Sequence, residues 1–106
     1  MSNIIKLNPS ELKNKLSGNE DFFLIDVRDP EEYENGHIKG SILIPLSDVE
    51  KKTEGIRKDK PMVLYCALGR RSRAAAEALI ARGFTNIYHL DGGLKAWTQD
   101  GEEVVK

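Results

Sequence analysis

With 106 residues, 40% apolar and 31% charged, the chain can bury one core without disulfide or metal support, and it reads as a single domain over residues 1–106. A formal net charge of −1 gives no global pull toward nucleic acid or an anionic membrane, and no apolar run approaches the length of a membrane span. One cysteine excludes an internal disulfide or a thiolate-rich zinc site, and two histidines without metal-ligand spacing add nothing to it, so neither a metal nor a cofactor is expected. The opening residues 1–13 lack the basic region and continuous apolar block of a signal peptide, which makes the cytoplasm the expected compartment.

Along the chain, Ile4-Ile5 forms the first apolar run. Asn8-Pro9-Ser10-Glu11 reads as a helix start, with proline in the first turn and Glu11 at the positive end of the dipole. Leu12 and Leu16, four apart, predict that helix's buried stripe. Phe22-Phe23-Leu24-Ile25 shows no alternation, as expected of a strand covered on both faces. Asp29-Pro30-Glu31-Glu32 starts a short helix, and Ser41-Ile42-Leu43-Ile44 is a strand stopped by Pro45. Residues 51–60 are highly charged and predict a helix end followed by a loop. Met62-Val63-Leu64-Tyr65 is a buried strand. Residues 72–82 form an alanine-rich helix closed by Gly83. Asn86-Ile87-Tyr88-His89-Leu90 is the last strand, and Gly92-Gly93 leads into a final helix through Trp97, which reads with Leu94 as core. Strand and helix alternate about five times, predicting an α/β fold with a central parallel sheet of about five strands and helices on both faces. In such a fold the chemistry lies at the carboxyl ends of the strands. Asp26-Val27-Arg28, residues 66–71 and Asp91-Gly92-Gly93 all reach that edge.

The segment Cys66-Ala67-Leu68-Gly69-Arg70-Arg71-Ser72 begins where a buried strand ends and finishes where a helix begins. A turn of this length can aim successive backbone N–H groups inward, with Gly69 supplying backbone freedom. The helix N-terminus adds unpaired donors, and Arg70, Arg71 and Arg73 add three cations. Each of these favours a thiolate over a thiol, so Cys66 is expected to ionise below the ordinary value of about 8.5. Cysteine is also among the most buried residue types, and Cys66 could simply be a small core hydrophobe. Against that, three arginines at a helix start oppose the dipole, a local conflict of the kind found at functional sites.

The loop Cys66-x-x-Gly69-x-Arg71-Ser72 resembles the active-site loop of the rhodanese family. The upstream block Leu24-Ile25-Asp26-Val27-Arg28, Glu32-Tyr33, Gly36-His37-Ile38, Gly40 and Ile44-Pro45 is similar to that family's N-terminal signature. The downstream block Leu90-Asp91-Gly92-Gly93 with Ala96-Trp97 is similar to its closing segment. The resemblance implies a sulfurtransferase of the double-displacement type. Cys66 would be the nucleophile carrying sulfur as a persulfide. The main-chain N–H groups of Ala67, Leu68, Gly69, Arg70, Arg71 and Ser72 would cradle that sulfur. Arg71, with Arg70, would orient an anionic donor or steady the rim of the loop. Asp26 and Arg28 would support the loop from the neighbouring strand as a structural pair, while His37 packs near a turn. The implied partners are a small sulfur-containing anion (thiosulfate, polysulfide or a persulfide) as donor, and cyanide, a thiol or a protein as acceptor. Ala67 and Leu68 stand where some family members carry basic residues, which favours a polysulfide, persulfide or protein-bound donor over thiosulfate.

Two other classes fit parts of the pattern. A cysteine-dependent phosphatase would need five residues between cysteine and arginine, whereas four separate Cys66 from Arg71 and the next position is Ser72. A non-catalytic sulfur-carrier, sensing or interaction module of the same fold is the other.

Overall fold

The computed structural model, which describes residues 4–106, places five strands in one parallel sheet. Residues 1–3, the start of the segment read above for a leader, lie outside the described residues. The strands are β1 (Ile5–Leu7), β2 (Phe23–Asp26), β3 (Ile42–Leu43), β4 (Met62–Tyr65) and β5 (Ile87–Leu90), in the order β1-β5-β4-β2-β3. Five α-helices accompany them: α1 (Pro9–Ser17), α2 (Pro30–Glu34), α3 (Val49–Lys52), α4 (Arg70–Ala81) and α5 (Gly93–Gln99).

Local chemistry sets the helix starts. Asn8 and Glu11 form a reciprocal capping box at α1, each side chain accepting from the other's backbone N–H at 2.8 Å. At α2, Glu32 accepts from the Asp29 amide at 3.1 Å. The edge strand β3 is only two residues long because Pro45 soon follows, yet Ile44 N and Leu46 N still bond Asp26 O and Val27 O.

The two sheet faces bury separate cores. Ile25, Val27, Met62, Leu64 and Cys66 pack against Val49 of α3 and Ala75, Ala76 and Leu79 of α4. Leu24, Val63, Tyr65 and Leu90 pack against Leu12 of α1 and Trp97 of α5. Helices thus cover both faces. The predicted stripe of α1 holds only at Leu12, which is fully buried. Leu16 is 38% exposed and faces a surface cleft of about 480 Å³ that it shares with Ile38 and Trp97. Helix α4 begins at Arg70, two residues before the predicted start, and Gly83 follows its end at φ 98°.

From β2 the chain steps outward to β3, whereas from β4 it steps the other way to β5. The carboxyl end of β4 therefore lies where the connections diverge, the place where open α/β sheets form a crevice. Cys66 is the first residue beyond β4. Among the described residues, no helix is long and apolar enough to cross a membrane.

Candidate active site

The loop after β4 is shaped from behind by α5. Leu94 N donates to Cys66 O at 2.8 Å and Lys95 N to Ala67 O at 3.1 Å, so the first amides of α5 take the first two carbonyls of the loop. With those carbonyls turned away, the later amides are free to face the thiol. The approach is so close that a Cβ on Gly93 would lie 2.5 Å from Ala67 O and 2.6 Å from Cys66 O. Gly69, at φ 107°, then bends the chain into α4 through the left-handed region.

Within this turn Cys66 Sγ accepts from Gly69 N at 3.0 Å and Ser72 N at 3.3 Å, and its own hydrogen points to Ser72 Oγ at 3.6 Å. The residue is only 1% exposed, yet it forms the floor of a cavity of about 220 Å³ lined also by Ala67, Leu68, Arg70 and Arg71. Burial is the largest single influence on the thiol and raises its pKa. The Ser72 hydroxyl and the amides of Ser72, Gly69 and Leu68 together outweigh it, leaving the thiol below its ordinary value.

The three arginines have different surroundings. Arg71 is held by Glu32 in a bidentate pair, with Nη1–Oε1 at 2.7 Å and Nη2–Oε2 at 2.9 Å. Its charge is committed to that carboxylate, although its side chain lines the cavity. Arg73 lies 3.9 Å from Glu77 on the exposed face of α4. Arg70 is exposed and makes no ion pair among the described residues. The cup for the thiol is accordingly made of hydrogen bonds, and the amides of Arg70 and Arg71 make none to Sγ.

Glu32 enters the sequence reading only as part of the block Glu32-Tyr33, and nothing there marks it as the partner of Arg71. The Arg71 hydrogen bonds, opposed by burial and helped by the Asp29 amide, hold its carboxyl down to about 2. A depressed acid contributes stability that is complete above its unfolded pKa and is lost as pH falls through the folded one. Denaturation of wild type and Glu32→Gln should therefore differ by a constant amount above about pH 4.5, and the gap should shrink toward pH 2. A gap independent of pH across that window would show that the carboxylate charge contributes nothing.

Two further features frame the loop. Asp26, fully buried, and Arg28, 5% exposed, form a multidentate pair, with Arg28 Nη2 at 2.7 Å from both Asp26 Oδ2 and Gly36 O. Asp26 is in register with Tyr65, the residue before Cys66, and the Arg28 guanidinium lies 5.9 Å from the Tyr65 ring centroid. His89 Nδ1 lies 3.1 Å from Ser72 Oγ; sequence reading placed His89 only as part of a strand. His37 stacks on Tyr33 at 3.7 Å and bonds Tyr33 O, away from the cavity.

The family model of the rhodanese-like domain matches residues 8–100, and the chain belongs to the rhodanese-like family. It is 34% identical to the thiosulfate sulfurtransferase GlpE of Pseudoalteromonas translucida, over 87% of this chain and 88% of that protein. It is 51% identical to YqhL, an uncharacterized protein of Bacillus subtilis, over 70% of this chain. A crystal structure of a rhodanese-related protein from Thermoplasma volcanium superposes with a TM-score of 0.83 at 35% identity, covering 95% of this chain and 97% of that one. The chain spans 59%, 52% and 24% of the lengths of three other curated matches, YqhL among them.

Proposed function

We propose that this chain is a sulfurtransferase in which Cys66 carries sulfane sulfur as a persulfide. The observation that carries the reading is the convergence of the Gly69 and Ser72 amides on Sγ at the floor of an open cavity. Such donors favour the thiolate, the nucleophilic form of cysteine. The thiolate attacks the outer sulfur of the donor, a new S–S bond forms, and the donor's bond to that sulfur breaks. Thiosulfate would release sulfite, and a persulfide would release its thiolate. An acceptor, cyanide or a thiol, then attacks the outer sulfur and Cys66 leaves as thiolate. Ala67, Leu68, Gly69 and Ser72 shape the cup, and Arg70 supplies the uncommitted cation at its mouth. Arg71, neutralised by Glu32, stiffens the rim rather than binding an anion by itself.

Leu68 is 62% exposed beside the cavity, so the entrance is apolar on one side. A polysulfide or a thiol-borne persulfide suits it better than compact, doubly charged thiosulfate. The relationship to a thiosulfate sulfurtransferase supports the reaction class, and an acceptor protein is compatible with the same loop.

The test is intact mass without reductant after incubation with polysulfide or thiosulfate. The protein should gain one sulfur atom, cyanide or a thiol should remove it, and Cys66→Ala should gain none. An unchanged wild-type mass with every donor would leave only a non-catalytic module.

A further inference from the structure

We propose that His89 is the proton acceptor for Cys66, reached through the hydroxyl of Ser72. The inference rests on the reading of Cys66 as a nucleophile and adds the route by which its proton leaves.

The register of the sheet makes the contact. His89 pairs with Leu64, and Leu64 points to the same face as Cys66 two residues later. That face lies under the start of α4, where Ser72 sits between them. Sγ is 3.6 Å from Ser72 Oγ, and Oγ is 3.1 Å from His89 Nδ1. All three residues are buried. Ser72 has a single hydroxyl hydrogen, which can go to Nδ1 or to Gly69 O at 3.2 Å. When it goes to Nδ1, Oγ is left as acceptor for the thiol hydrogen. The chain then runs in one direction, from Sγ–H to Oγ–H to Nδ1.

Burial lowers the His89 pKa most. Arg73 of α4 and Lys6 of β1 lower it further, and Asp91 opposes them, with a net effect below the ordinary value. The ring is thus neutral near neutral pH and offers a lone pair at Nδ1. Its other nitrogen, Nε2, makes no hydrogen bond among the described residues, where every buried side-chain nitrogen and oxygen is bonded, so Nε2 touches solvent. In the step itself the Sγ–H bond breaks and its proton passes to Oγ. The hydrogen formerly on Oγ passes to Nδ1, and Nε2 gives its proton to water. The thiolate then accepts from the Ser72 hydroxyl, which has reversed. No electrons are exchanged.

Two measurements on the full chain test this. The first is nitrogen-15 NMR of His89 across the ionisation of Cys66. Nδ1 should change from acceptor to protonated donor in step with the thiol, and an Nδ1 signal that stays constant overturns the proposal. The second is the pH dependence of Cys66 alkylation by iodoacetamide in His89→Asn, whose carboxamide oxygen can accept the Ser72 hydrogen but cannot take up a proton. In the variant the Ser72 hydrogen stays on the carboxamide instead of turning to the thiolate, so the thiol should ionise at higher pH than in wild type and react about tenfold more slowly on the acidic limb. In a Ser72→Ala background the His89→Asn change should have no further effect. A folded His89→Asn protein with the wild-type profile overturns the proposal, and if that variant does not fold the NMR result decides. Failure of the transferase reading is separate: it appears as absent sulfur uptake with the alkylation difference between wild type and His89→Asn intact.

Discussion

Gly93→Ala is expected to destabilise the protein by about 3 kcal/mol or more and to abolish sulfur uptake at Cys66 in whatever fraction remains folded. Two penalties coincide at this position. The residue has φ 64°, where a side chain costs about 1–2 kcal/mol. The new Cβ would also fall 2.5 Å from Ala67 O and 2.6 Å from both Ala67 C and Cys66 O, which are backbone atoms that no side-chain rotation can move aside. Relief requires α5 to retreat from the loop. Its amides at Leu94 and Lys95 would then release the Cys66 and Ala67 carbonyls, and the loop would lose the constraint that aims its later amides at Sγ. Stability falls and the thiol pKa rises together. Gly92→Ala provides the comparison. There the clash, at 2.7 Å, is with the Ala96 side chain within α5, so the loop carbonyls should keep their partners and Cys66 its reactivity to a greater extent. Denaturant unfolding and alkylation rate, measured on both variants, separate the two effects. A Gly93→Ala protein with wild-type reactivity would mean that α5 does not shape the cup.

Much of this architecture was written in short-range pattern. The unbroken apolar run 62–65 reads as a buried strand, and its four residues are all buried. The loop that follows carries its glycine where the backbone turns left-handed, and the sequence alone puts that loop between β4 and α4. Partners distant in sequence were not legible in this way. Glu32 and Arg71 are 39 residues apart, and only the tertiary fold brings their side chains together. That pair also explains the start of α4. Arginines in a first turn oppose the dipole, the local conflict that pointed to this loop as a candidate site. In the fold Arg70 turns to solvent and Arg71 meets a carboxylate, so the conflict is relieved and the helix begins two residues before the predicted start. His89 was hidden for a different reason. An apolar run marks a strand but does not tell which neighbour sets its register, and it is register that places the imidazole on the thiol's side of the sheet. Leu16 failed because helical spacing predicts a stripe but not how far the covering surface extends.

Arg28→Ala should be the most destabilising change outside the loop, by about 3–5 kcal/mol, because it leaves a buried carboxylate without its counter-charge. Asp26 is fully buried and receives Arg28 Nε at 3.0 Å and 3.1 Å as well as Nη2 at 2.7 Å. Of the bonds from residue 28 to the Asp26 carboxylate, only that from the backbone amide, at 2.9 Å, survives the substitution. The Gly36 carbonyl loses its guanidinium donor at the same time. At about 4–8 °C per kcal/mol for a domain of this size, the melting temperature should fall by about 12 °C or more. Replacing both partners, Asp26→Leu with Arg28→Met, should cost less than Arg28→Ala alone, since the desolvation of both charges disappears together with their attraction. The comparison decides what the pair contributes. If the double variant is as stable as wild type, the ion pair adds no net stability and its effect lies in fixing the Gly36 turn and Tyr65, the residue before Cys66. Sulfur uptake by the folded double variant would then slow while its melting temperature held. If Arg28→Ala instead melts within a few degrees of wild type, water reaches Asp26, and the pair cannot be what anchors the neighbouring strand to the loop.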